Sequence, residues 1–153
     1  MFKIFKGKSH IIKWLREING SWEGEFKSEI FKDDEGGRRL SVYAENSSAK
    51  KYAEKCVTEF NSLPENIISD ICKGIIKSAK ENAGENFELP EISDPADILQ
   101  YCWFTALYVS VPEDENQISY IVEGEGDWGE VIGFVIKNGL PVYVGADYFE
   151  NAD

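Results

Sequence analysis

Histidine, cysteine and long apolar runs are scarce in this sequence, and each shortage excludes a class of function. His10 is the only histidine, and no G-x-S-x-G nucleophile motif accompanies it, so a Ser/His/Asp triad is not predicted. No set of histidines and cysteines has the spacing of a zinc site. We therefore predict no catalytic residue, no metal ligand and no cofactor, and we interpret His10 as incidental.

The three cysteines are odd in number and show no C-x-x-C spacing. Cys56, Cys72 and Cys102 each lie among apolar neighbours. A free cysteine in such surroundings behaves as a small hydrophobic residue. We predict three reduced, buried thiols.

Long apolar segments are also missing. No stretch approaches the roughly 18 apolar residues of a membrane span, and residues 1–8 carry scattered charges where a signal peptide would have an apolar core. We expect a cytoplasmic protein. Its 153 residues suit a single α+β domain, 1–153, that buries its own core.

Basic residues are rare after residue 60. Residues 1–60 hold 12 basic and 10 acidic side chains, whereas residues 61–153 hold 4 and 18, a net charge of −14. Such a field repels phosphate groups, so we predict neither a nucleic-acid partner nor binding to an anionic membrane. A basic protein such as a toxin domain would be attracted. The alternative, that the acidity serves solubility alone, stays open.

The first half of the chain predicts a hairpin followed by two helices. Period-2 alternation begins at Trp22, and the glycines of 33–37 mark a turn, so residues 22–45 are typical of a β-hairpin. An apolar stripe from Ala49 to Phe60 predicts a helix capped by Ser47 or Ser48. A second helix follows Pro64 and has Gly84 as its C-cap. We expect the two helices to form an antiparallel pair on a sheet.

The N-terminal residues are less regular. Residues 2–5 suit a short strand, and residues 11–18 suit either a helix or a strand.

The second half predicts four strands. Residues 101–111 are almost continuously apolar, which indicates a strand buried on both faces. Residues 118–122 and 131–137 form strands around an acidic loop, 123–130. Asn138-Gly139 predicts a tight hairpin, and Pro141 places the last strand at an edge. The predicted fold is α+β: an antiparallel sheet of five or six strands with a two-helix hairpin on one face, in the order β-β-α-α-β-β-β-β.

The acidic loop contains the pattern G-x-G-x-x-G-x-V, from Gly124 to Val131. A dinucleotide site needs a helix after these glycines, whereas a strand is predicted here. A kinase phosphate loop needs catalytic motifs that do not follow. The surrounding carboxylates would also repel phosphate. We interpret the glycines as turn residues.

The same loop supplies the candidate binding site. Its members are acidic residues and one tryptophan: Glu123, Glu125, Asp127, Trp128 and Glu130. We expect Glu125, Asp127 and Trp128 to face solvent. Trp128 would then be a binding hot spot, unless it folds back onto the sheet as a structural residue. Carboxylates converging in a pocket would instead favour a small carboxylate- or metal-dependent hydrolase.

A resemblance to a family is carried by three parts of the C-terminal third: Tyr120-Ile-Val-Glu-Gly-Glu-Gly-Asp-Trp-Gly-Glu130, Gly133 and Lys137-Asn-Gly-Leu-Pro-Val-Tyr-Val-Gly145. They resemble the C-terminal signature of uncharacterised small bacterial proteins, with an Asp-Trp-x-Glu-x-x-Gly turn and a Tyr-Val-Gly strand. Gly129 stands where an acidic residue is usual and Ile132 where a histidine is usual. Some members resemble immunity proteins of polymorphic toxins, which implies a non-enzymatic protein that binds a toxin.

Overall fold

The computed structural model describes residues 11–84, 87–114 and 116–152. The predicted strand at 2–5 and His10 lie outside these residues. The described elements follow the order β-β-β-α-α-β-β-β-β. The strands are β1 (Lys13–Ile18), β2 (Ser21–Lys27), β3 (Arg39–Ala44), β4 (Cys102–Val109), β5 (Ser119–Gly126), β6 (Val131–Lys137) and β7 (Leu140–Gly145). The helices are α1 (Lys50–Phe60) and α2 (Glu65–Asn82).

The seven strands form one sheet in the order in which they occur in the chain, with β1 and β7 at its edges. The mixed α+β class is confirmed. The expected five or six strands are too few, and the expected order lacks β1. The alternation in β2 and β3 correctly predicted their antiparallel hairpin. The position of β7 confirms the edge indicated by Pro141.

The sheet is mixed rather than antiparallel, because β3 and β4 are parallel. Residues 45–101, which include both helices, connect these two strands. A connection of this length crosses over and returns the chain to the end where β3 began, so the next strand runs in the same direction. The other neighbouring strands are antiparallel.

Both helices cover the same face of the sheet. The Phe60 ring of α1 lies 6.1 Å from Phe26 and 6.0 Å from Tyr120, measured between ring centroids. α1 contacts β3 and β4, whereas α2 contacts β6 and β7. Gly74 of α2 lies against Val144. The hydrophobic core is therefore a single layer between the helices and this face, and we call the opposite face the open face.

Two local predictions about helix ends were wrong. The side chain of Asn46, rather than Ser47 or Ser48, accepts the hydrogen bond from the Ala49 backbone N–H, and it caps a 3-10 turn at Ser47–Ala49 that leads into α1. α2 ends before Gly84, and its C-cap Ala83 is extended. A cap position is hard to predict where several Asn and Ser residues are adjacent, because each side chain can accept the same bond.

The strand buried on both faces is β6, not the predicted 101–111. Buried and half-buried residues alternate through most of β4. In β6, five consecutive residues from Ile132 to Ile136 are buried. Aromatic residues on the outward side of β4, such as Trp103 and Tyr108, made its sequence look continuously apolar although they lie on the open face and are half-buried.

Candidate functional site

The acidic loop of the structure is shorter than the predicted range 123–130. Glu123, Gly124, Glu125 and Gly126 belong to β5, and only residues 127–130 form the turn into β6. The turn closes with a hydrogen bond from the Gly126 N–H to the Glu130 carbonyl, 3.0 Å long. The alternation of β5 places Glu123 and Glu125 on the open face. The four carboxylates are thus divided between a strand and a turn.

Trp128 does not face solvent. It is 5% exposed, and its indole covers Gly126, where a Cβ atom would approach the ring to 2.4 Å. Phe87 lies beside it, with 6.3 Å between ring centroids. The expectation of an exposed tryptophan was therefore wrong, and the structural alternative is correct. Gly126 explains this, since its missing side chain leaves room for the indole.

The remaining predicted site residues differ in exposure. Glu123 is half-buried, whereas Glu125, Asp127 and Glu130 are exposed. Within the described part of the chain, no group of three or more His, Cys, Asp or Glu residues is arranged to hold a metal ion. The hydrolase alternative draws no support from this placement.

Glu123 lies in a network of tyrosines that the sequence did not reveal. Its Oε1 accepts a hydrogen bond from the Tyr108 hydroxyl (3.0 Å), and its Oε2 accepts one from the Tyr148 hydroxyl (2.9 Å). Tyr108 stacks on Tyr43, 5.1 Å between centroids, and the Tyr43 hydroxyl donates to Glu23 at 3.3 Å. The network crosses the open face from β2 to β5 and reaches the C-terminal segment.

These hydroxyls donate because a phenol keeps its proton at neutral pH. Burial raises the pKa of Tyr108 and Tyr148 well above the ordinary value, and the neighbouring Glu123 carboxylate raises both further. Burial and then Glu23 raise the pKa of Tyr43. A neutral phenol beside a carboxylate makes a charge-assisted hydrogen bond. The two bonds fix the orientation of the Glu123 carboxylate.

Residues 146–152 cover part of the open face beside this network. The Tyr148 ring lies over Gly133 of β6, where a Cβ atom would approach it to 2.5 Å. The Asp147 N–H donates to the Tyr143 hydroxyl at 2.9 Å. Phe149 meets Tyr108 edge to face, 5.1 Å between centroids, and remains 53% exposed. The Gly133 and Tyr143 positions of the sequence signature are therefore structural.

The three cysteines are free and buried, as predicted. Burial raises the pKa of Cys56 and Cys102 to about 12 and that of Cys72 to about 11. A thiol with so high a pKa is protonated at neutral pH and is a poor nucleophile. None of the three contributes to the open face.

A family model described as "Domain of unknown function (DUF6985)" matches residues 13–149. The chain belongs to the DUF6985 family. The matched range includes the seven strands, both helices and the Tyr148 contact with Glu123, so the open face is part of the DUF6985 domain. No curated protein and no solved structure compared with the chain gives a significant match. None of the described helices of the DUF6985 domain has the length and apolar character to cross a membrane.

Proposed function

We propose that this DUF6985 domain is a non-enzymatic protein-binding module of the immunity-protein type, which binds a basic protein such as a toxin domain. The binding surface is the open face around β4 and β5 together with the exposed carboxylates of the 127–130 turn. The observation that carries the proposal is the part of the open face that the described residues leave uncovered, where Glu123 and Glu125 lie beside half-buried aromatic residues.

The charge of the domain supports a basic partner. Residues 61–153 carry a net charge of −14, and β5 with its turn contributes four acidic residues within eight positions. A surface field of this sign accelerates encounter with a cationic protein and excludes acidic ones. The preference should weaken as salt increases, because exposed charges are screened over roughly 10 Å at 0.1 M ionic strength.

The aromatic residues support protein binding rather than charge attraction alone. Tyr43, Tyr108 and Trp103 are half-buried on the open face, and Phe149 is exposed beside Tyr108. Tyrosine and tryptophan are enriched at the centres of interfaces, where they offer large contact areas at small conformational cost.

Titration with the product of the neighbouring gene tests the proposal, provided that product is basic. We expect the double variant Glu123→Gln/Glu125→Gln to weaken binding at least about tenfold, or about 1.4 kcal/mol. The matched control is Asp70→Asn/Glu81→Gln, which removes the same charge from exposed positions of α2. Equal affinity for the two double variants would contradict the proposed surface.

A further inference from the structure

The carboxylates of the open face differ in how far they are neutralised within the domain. Glu23 pairs with Arg16 at 3.1 Å, and Glu25 pairs with Arg39 at 3.5 Å. Among the residues that the structure describes, no ion pair involves Glu123 or Glu125. The β1–β3 side of the face is therefore locally neutral, whereas β5 presents negative charge for which the described residues offer no cation.

The geometry of Glu123 favours a planar cation. Tyr108 and Tyr148 each donate to a different carboxylate oxygen, so the plane of the carboxylate is fixed. Within the described residues each oxygen accepts only this one hydrogen bond. A guanidinium meets such a carboxylate with two parallel N–H···O bonds. An ammonium group is a point charge and gains nothing from the fixed plane.

Aromatic side chains of the neighbouring strand β4 lie beside both carboxylates. Trp103 of β4 is the cross-strand partner of Glu125, and its half-buried side chain shares the open face. Tyr108 contacts Glu123 directly. Arginine stacks on aromatic faces while its N–H groups bond in the plane, whereas lysine does so less well. We define Trp103, Tyr108, Glu123 and Glu125 as the arginine strip.

We propose that the arginine strip receives an arginine side chain from the surface of the basic partner. The guanidinium bonds to Glu123 or Glu125 and stacks on Trp103 or Tyr108. This inference rests on the proposed function and specifies the chemistry that the partner presents to the open face. The complementarity of charge between β5 and a cationic surface selects this occupant over a second copy of the chain, because two copies would bring like charges together.

Two synthetic peptides of equal charge test the inference without the natural partner. One alternates arginine and serine, and the other alternates lysine and serine. Binding to the full chain is followed by NMR through the backbone amide signals of β4 and β5, which are present in every variant. We expect the arginine peptide to bind roughly fivefold tighter or more, since charge-assisted bidentate bonds add to the common charge attraction. Trp103→Leu should lower the ratio of arginine-peptide to lysine-peptide affinity, because the guanidinium loses a surface on which it stacks.

Equal binding of the two peptides would overturn the inference, as would an arginine preference that survives Glu123→Gln/Glu125→Gln. The titration with the basic gene neighbour separates the two proposals. If the double variant binds the partner more weakly and the two peptides bind the wild type equally, the protein-binding surface is supported and the arginine strip is wrong. If the double variant binds both the partner and the peptides as tightly as the wild type does, both proposals are wrong.

Discussion

Replacing Trp128 by alanine should strongly destabilise the domain, because this side chain belongs to the core. Trp128 is 5% exposed and packs against Phe87 and the bare backbone of Gly126. Aromatic side chains bury about 150–250 Å² each. At about 25 cal/mol per Å² this corresponds to about 4–6 kcal/mol of transfer free energy. Because the alanine retains part of that area, we expect a loss of about 3–5 kcal/mol, as in other Trp→Ala core substitutions.

Urea unfolding followed by circular dichroism measures this loss without relying on tryptophan fluorescence. With a slope of about 2 kcal/mol per molar urea, a loss of about 4 kcal/mol moves the midpoint down by about 2 M. The control is Asp127→Asn, whose exposed side chain should change the free energy of unfolding by less than about 0.5 kcal/mol. A loss below about 1 kcal/mol for Trp128→Ala would refute the burial of this residue and restore it as a candidate surface hot spot.

Two further predictions concern packing and pH. Gly133→Ala should cost about 1–3 kcal/mol, since the new methyl group overlaps both the Tyr148 ring and the Val122 carbonyl oxygen. Gly84→Ala is the control and should cost nothing, because its methyl group would lie in open space. Equal urea midpoints for the two variants would contradict the close packing around Gly133. Burial raises the pKa of Glu59 in the folded chain. Above that pKa the charged carboxylate therefore lowers the free energy of unfolding, and this loss of stability disappears as the pH falls through the folded-state pKa. Glu59→Gln should therefore be more stable than the wild type at pH 7 and equally stable at about pH 4. If the thermal midpoints of the variant and the wild type differ by the same amount at both pH values, Glu59 is not responsible.

The strands that bury one face could be predicted from the sequence, whereas the edge strand β1 could not be told from a helix. In β3, buried Leu40, Val42 and Ala44 alternate with outward residues, which is the period-2 signal. In β1 every residue except Trp14 is exposed, so buried and exposed positions do not alternate. The parallel pairing of β3 with β4 also has no local signal, because it depends on how residues 45–101 cross the sheet.

The turn after β6 illustrates what local chemistry can specify. Asn138 and Gly139 both have positive φ, 51° and 78°, the conformation that a two-residue hairpin requires and that Asn-Gly adopts readily. The sequence predicted this turn from the two residues alone.

The candidate site was predictable only in part. Its acidic character and the choice of Glu123 and Glu125 followed from charge, although both were expected in a loop and lie in β5. The partners of Glu123 did not, because Tyr108 is 15 and Tyr148 is 25 residues away from it. Trp128 was misplaced for a related reason: whether an aromatic residue in a turn folds inward depends on the space above Gly126, which exists only once β4 and β5 have paired.

Calorimetry with the product of the neighbouring gene, provided that this product is basic, tests the central claim most directly. The wild type is compared with Glu123→Gln/Glu125→Gln and with Asp70→Asn/Glu81→Gln. We predict that the open-face variant binds at least about tenfold more weakly than the wild type, and that the α2 variant binds within about twofold of it. Binding that is the same for all three proteins would contradict the assignment of the open face as the binding surface.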